Sequence, residues 1–178
     1  VDNHSDTDYV KVISQEYSNI KTVYCEKNYG AVGRNFGMAI ACGEIIVTLD
    51  DDIYGLTEPD LDRLKNIFAK DNRGNAICFN VKDEASMKIC NWCHPRDPAL
   101  YDESIFETDN ISEGAVAFKR SLFNEIDLYP LDFFISHEGI DLGYRIINAG
   151  YSTVYSPEIE VIHAYAPEGR KNWRRYYY

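Results

Sequence analysis

The sequence predicts an α/β fold: a mixed, mostly parallel, Rossmann-like sheet flanked by helices. Two observations carry that expectation. Strand-like and helix-like segments alternate through the first half, which calls for parallel strands joined by crossover helices. One such strand, in GEIIVTLDDD at residues 43–52, runs from β-prone Ile45, Ile46, Val47 and Thr48 into Asp50, Asp51 and Asp52. In open α/β sheets ligands sit beyond the carboxyl ends of the strands, where these three carboxylates fall. Their mutual repulsion calls for a cation. Hard oxygen donors suit Mg²⁺ or Mn²⁺, typically held by one or two carboxylates plus substrate phosphates. The plain alternative is an acidic loop after a core strand.

The elements follow in order. Val1 to Asp6 reads as the last residue of a strand and a polar turn. Tyr9, Val10, Val12, Ile13 and Tyr17 have helical spacing. Ile20 to Cys25 reads as a short strand and Glu26 to Gly30 as a loop. Ala31 to Cys42 reads as a helix stopped by Gly43. After the aspartates, Glu58-Pro59 opens a helix with Leu61, Leu64, Ile67 and Phe68 as its buried stripe. Ala76 to Val81 is a strand. Residues 82–110, with Pro95 and Pro98, are the least regular stretch. Gly114 to Phe118 is a strand and Arg120 to Ile126 a short helix. Glu138 to Ala149 is a helix ended by Gly150, with Ile140, Tyr144, Ile147 and Tyr151 as its core stripe. Ser152 to Tyr155 and Glu160 to His163 are short strands.

The 178 residues suit one domain, and a chain of this size buries roughly 70% of its unfolded surface. A net charge of −11, from 18 basic and 29 acidic residues, argues against nucleic-acid binding through phosphate contacts. It does not exclude a phosphate-bearing ligand, because a metal supplies local positive charge. The five cysteines are odd in number and irregularly spaced. Cys25 and Cys42, in apolar segments, read as reduced core residues and the chain as cytoplasmic. Cys90-Asn91-Trp92-Cys93-His94 matches the haem-attachment pattern C-x-x-C-H, a single short match that also reads as half of a zinc site. No apolar run approaches the roughly 18 residues of a membrane span.

Taken together and in order, these segments resemble the family 2 glycosyltransferases of GT-A fold. The resemblance rests on VDNHSD at residues 1–6, N-x-G at Asn28 to Gly30, the segment leading to Arg34 and Asn35, and A-x-G-E-x-I-x-x-L-D-D-D at 41–52. It continues through EGAVAFKRSLF at 113–123, HEGIDLGYRIINAGY at 137–151 and the strand ending at His163. The family begins with a strand and helix before the VDN stretch. They are lacking here, so the chain is expected to be a fragment with a gap or exposed apolar edge in its sheet. The resemblance implies one GT-A domain over 1–178, with 1–80 binding the nucleotide sugar and 81–178 carrying the acceptor site and catalysis.

The resemblance also assigns roles. Asp2 resembles the contact to the nucleotide base, against the plainer reading of a turn cap. Arg34 resembles a residue near the diphosphate, against a surface charge. Asp50 looks like the ribose contact, Asp52 the metal ligand, Asp51 their support and His163 a further metal ligand, for which imidazole suits Mn²⁺. Gly114 sits where the family lines donor and acceptor. Trp92 and Trp173 are sugar-stacking or core residues, and neither is assigned. The implied reaction is inverting transfer of a sugar from a nucleotide-diphosphate sugar to a hydroxyl of a glycan or lipid-linked acceptor, with Mn²⁺ or Mg²⁺ as cofactor. Peripheral association with the inner face of a membrane goes with a lipid-linked acceptor. The competing readings are a nucleotidyltransferase and a non-catalytic sugar-nucleotide-binding module.

One position departs from the family. Its common pattern is E-D-x-D-L, with the second acidic residue as base; here the stretch is Glu138-Gly139-Ile140-Asp141-Leu142. Asp141 has Arg145 four residues on and lies in the first helical turn, which both favour its ionised form. Glu138 has no obvious local cation, and Gly139 leaves its approach open. Glu138 is therefore expected to be the general base, and Asp141 to orient or bind the acceptor.

Overall fold

The computed structural model describes residues 1–70, 74–90, 97–98, 104–135 and 137–165. Trp92, Cys93, His94, Trp173 and the basic, aromatic tail lie outside the described residues. Helix α1 spans Tyr9–Glu16, its N-terminus capped by the Asp8 side chain. A 3₁₀ turn at Gly30–Val32 leads into α2, Gly33–Ile40. Strands β1, Ile45–Leu49, and β2, Ile53–Tyr54, flank the aspartates. Helix α3 is Glu58–Lys70, and Asp60 reaches back to the Thr57 N–H at 2.8 Å, one half of a capping box. Then come β3, Gly74–Asp83, β4, Ile89–Cys90, β5, Phe106–Thr108, and β6, Ala115–Lys119. A 3₁₀ turn at Arg120–Asn124, helix α4, Glu138–Asn148, and strand β7, Ser152–His163, follow.

The strands form a seven-stranded mixed sheet in the order β1-β6-β3-β7-β2, with β4 beside β3 and β5 beside β7. β3 and β7 pair in parallel along most of their length, while the other ladders are antiparallel. Since β6 is antiparallel to both β1 and β3, the strands β1, β3 and β7 all run the same way. β6 runs against them because it starts where β1 ends: Ala115 pairs with Leu49. That reversal brings residues 113 and 114 to the aspartate edge.

Side chains alternate across β3 and β6 and make two cores. Ala76, Cys78, Val116 and Phe118 pack with Ile46, Leu142 and Ile146 on the α4 side. Ile77, Phe79, Val81, Ala115 and Ala117 pack with Leu64 and Phe68 on the α3 side. The sheet is thus sandwiched between helices, the architecture expected.

Several local expectations need correction. The core face of α4 is Gly139, Leu142, Gly143 and Ile146, while Ile140, Tyr144 and Ile147 are exposed. The bulkier stripe loses because the opposite face carries two glycines that let the helix lie on backbone: a Cβ at Gly143 would stand 2.0 Å from the Asp109 carbonyl oxygen. Leu61 is likewise exposed, its place on the inner face of α3 taken by the capping Asp60. Ile20 to Cys25 makes only an isolated parallel bridge, Asp2 with Tyr24. The two strands expected at 152–163 are one, with an irregularity in its pairing to β3 between Phe79 and Asn80. Cys42 is exposed, because the chain leaves α2 before it, whereas Cys25 is buried.

Candidate active site

A cleft of about 1420 Å³ opens between the N-terminal segment, β1 and the head of α4. Asp2, Arg34, Asp50, Asp51, Gly114 and Glu138 all line it, so six of the expected site residues come together. The apolar residues Val1, Ile13, Ile45 and Val47 line its other side, where β1 ends the sheet.

Asp2 serves as the turn cap considered for it and keeps one carboxylate oxygen over. Its Oδ1 accepts the Ser5 N–H at 2.8 Å, which caps the turn and holds its carboxyl below the usual range. Its Oδ2 is buried without a partner, a carboxylate oxygen still to be satisfied. The neighbouring Asn3 fixes the loop beneath: it donates to the Gly30 carbonyl at 2.9 Å and accepts the Tyr29 N–H at 2.9 Å.

Arg34 projects from α2 onto Asp50 in an ion pair. Burial pushes its guanidinium down, but Asp50, then Tyr129, then Glu113 push it up, and the net shift is upward. Asn35, beside it, holds the segment around Tyr129: its amide donates to the Tyr129 carbonyl at 2.7 Å and accepts the Tyr129 N–H at 3.1 Å. Gly114 is required by Asp50, since a Cβ there would stand 2.6 Å from Asp50 Oδ2. The Asp50 N–H donates to the Gly114 carbonyl at 2.9 Å, and Thr48 Oγ1 donates to the Glu113 carbonyl at 3.0 Å. The ends of β1 and β6 are therefore locked together at the site.

The aspartate triplet divides at the tight turn into β2. Asp50 faces Arg34, Asp51 is exposed, and Asp52 turns toward β7, where its Oδ2 lies 3.1 Å from His163 Nε2. The His163 ring stacks on Tyr165 with centroids 3.7 Å apart. Among the described residues, no group of three His, Cys, Asp or Glu side chains gathers to hold a metal. Two converging donors, one oxygen and one imidazole nitrogen, fit the protein's share of a Mn²⁺ shell completed by phosphate oxygens.

Glu138 is buried at the head of α4, and its Oε2 has no partner. It follows His137, which sits in the left-handed region at φ 64°, a turn that aims the helix start at the cleft. Asp141 is committed elsewhere. It accepts from Arg145 Nε at 2.8 Å, and Arg145 also donates to the carbonyls of Asp127 and Leu128. Asp141 is not among the cleft residues.

Two residues of the site were not singled out from the sequence. Glu113 lines the cleft beside Glu138, and burial pushes its carboxyl up to about 7, with Glu138 adding to the rise. Tyr129 is fully buried against this group, and burial, then Glu113, raise its hydroxyl far above the ordinary range. The glycine at 139 departs from the family pattern but does not point to position 113, so the sequence carried no signal for Glu113.

A profile of glycosyl transferase family 2 matches residues 1–127. The chain belongs to glycosyl transferase family 2. Solved structures agree on its fold. The crystal structure of GalNAc-T7 with UDP, GalNAc and Mn²⁺ superposes with a TM-score of 0.71 at 20% identity, over 96% of this chain and 38% of that one. The mannosyltransferase PcManGT from Pyrobaculum calidifontis, in complex with GDP-Man and Mn²⁺, gives 0.67 at 20% identity, over 93% of this chain and 46% of that one. S. aureus TarS 1–349 in complex with UDP gives 0.64 at 13% identity, over 94% and 50%. At these identities the likeness is one of fold, and the family 2 chain spans between 38% and 50% of the length of these structures. A comparison with curated proteins gives no match.

Proposed function

We propose that this family 2 chain transfers a sugar, with inversion, from a nucleotide-diphosphate sugar to an acceptor hydroxyl of a glycan or lipid-linked saccharide. The observation that carries the reading is the single cleft gathering Asp2, Arg34, Asp50, Asp51, Gly114 and Glu138 at the carboxyl end of β1. The buried free oxygen of Asp2 suits an N–H of the base. Asp50, held by Arg34, suits the ribose hydroxyls, and the bare backbone at Gly114 lets the sugar approach. Asp52 and His163 would hold a divalent ion, which when bound offsets negative charge on the departing diphosphate. Glu138 takes the acceptor's proton as its oxygen forms a bond to the anomeric carbon and the bond to the diphosphate breaks. A base of this kind contributes about 10² to 10⁴ in rate. One displacement from the face opposite the leaving group inverts the anomeric centre. On this reading residues 1–80 carry most of the donor contacts and 81–178 the acceptor site, with Gly114 and His163 of the second part completing the donor site. A cytoplasmic location, at the inner face of a membrane for a lipid-linked acceptor, fits this reading. Among the described residues, no helix is long and apolar enough to cross a membrane.

Thermal unfolding with UDP, GDP or dTDP, with and without Mn²⁺, tests the site, since a ligand that binds only the folded state raises its melting temperature. One nucleotide should stabilise the chain in a Mn²⁺-dependent way. Asp52→Asn should abolish that shift, His163→Ala should reduce it and Asp51→Asn should reduce it least. A wild-type shift in Asp52→Asn removes the metal assignment. Release of nucleotide from UDP- and GDP-sugars then distinguishes a transferase from a binding module.

A further inference from the structure

We propose that Glu113 replaces the carboxylate missing at position 139 and forms, with Glu138, a carboxyl pair at the head of α4 that accepts the incoming hydroxyl's proton. The proposal rests on the transferase reading above and says how its base is tuned. Glu113 acts through Glu138 and is thus a positioning residue.

The space decides first. A Cβ at Gly139 would stand 2.1 Å from Glu113 Oε1 and 2.3 Å from the Ile111 carbonyl oxygen. The Ile111 backbone by itself keeps 139 a glycine, and with the helix seated this close the Glu113 carboxyl lies where a side chain at 139 would begin. The carboxylate reaches the helix head from the loop before β6 and accepts the Gly139 N–H. The helix N-terminus is a favourable place for such a charge.

The surroundings decide next. Glu113 and Glu138 both line the cleft, and Glu138 keeps a buried oxygen without a partner. Glu138 faces Glu113 from α4, Arg34 faces it from α2 and the Tyr129 ring from the following loop. Arg34 is already paired with Asp50, so its charge is divided. Two carboxylates sharing a site do not both ionise easily, and the first proton returns near neutral pH. Burial and the Glu138 charge place Glu113 at about 7. An ionised Glu113 beside Glu138 puts a second negative charge where the hydroxyl's proton arrives. In the transfer step the acceptor's O–H proton passes to Glu138, the pair goes from two negative charges to one, and the nucleoside diphosphate leaves with the bonding electrons.

A carboxyl kept only for packing would be served equally by glutamine, which offers the same oxygen to the Gly139 N–H. Glu113→Gln and Glu138→Gln in the full chain therefore separate the two roles. Carbon-13 glutamate labelling should show one carboxyl titrating near 7 in the wild type. That titration should vanish in Glu113→Gln and move down in Glu138→Gln. Turnover of the UDP- or GDP-sugar the enzyme accepts, with water or a saccharide as acceptor, should rise through an acid limb near pH 7. Glu113→Gln should shift that limb down and cut turnover at pH 8 about tenfold, with nucleotide affinity unchanged. An ordinary titration of Glu113, or a wild-type pH–rate profile in Glu113→Gln, overturns the proposal. If the pair titrates as described but no donor is turned over while nucleotide binds, the pair stands and the transferase reading falls.

Discussion

Asp141 and Glu138 lie on the same turn of α4, yet their surroundings give them different work. Asp141 is tied to Arg145, which also carries the carbonyls of Asp127 and Leu128. Glu138 is buried on the cleft with an oxygen unpaired. Asp141→Asn should cost about 0.5 kcal/mol of stability, the scale of a partly exposed ion pair. It should leave turnover within a factor of about two, whereas Glu138→Gln should lose about 10² or more. Single-turnover rates at saturating donor check this, and a large loss in Asp141→Asn alone reverses the roles. Both carboxylates could be read from the sequence, and so could the Arg145 pairing, because an i,i+4 contact needs only helical geometry. Glu113 could not. Its neighbours Gly139 and Glu138 are some 25 residues away, and no local pattern connects them.

Helix α4 shows how an element is seated by what it lacks. Gly139 and Gly143, four apart on one face, set the helix directly on the backbone of the 109–111 segment. The sequence showed an amphipathic helix but pointed to its bulkier stripe, because apolar periodicity counts side chains and not the space for backbone contact. Gly143→Ala removes that contact: its Cβ would meet the Asp109 carbonyl at 2.0 Å. Overpacking of this kind costs about 1–3 kcal/mol, more than the better helix propensity of alanine returns. Gly139→Ala should cost a similar amount and also move Glu113, so it should lose turnover as well as stability. Denaturant unfolding of both variants checks the order. Unchanged midpoints would mean that α4 does not sit this closely.

The whole molecule bears a stability cost for its site. Glu113 has a folded pKa raised to about 7, above its unfolded value near 4.3. The unfolded chain therefore releases this proton first as pH rises, and stability falls between roughly pH 4.5 and 7. Glu113→Gln removes that loss. It should leave stability near wild type at pH 4.5 and raise it at pH 8 by roughly 1–3 kcal/mol, allowing for partial exposure of the carboxyl. Chemical denaturation at the two pH values measures the difference. A variant more stable yet slower at pH 8 would place Glu113 among residues held for function at the expense of stability.

The chain's own order determined the layers and the acidic edge. Alternating segments of period 2 and 3.6 specify strands and helices locally, and a β-prone run ending in three aspartates puts charge at a sheet edge whatever surrounds it. The order of motifs was enough to mark the family and to place Asp2, Arg34, Asp50, Asp51, Gly114 and Glu138 in one site. Tertiary structure alone decided which carboxylates meet. The reversed β6 brings Glu113 and Gly114 beside Asp50, and β7 carries His163 to within 3.1 Å of Asp52. Two glycines then bring α4 close enough for Glu138 and Glu113 to share one site. These contacts join residues far apart in sequence, so their geometry follows from sheet order and helix seating rather than from local pattern.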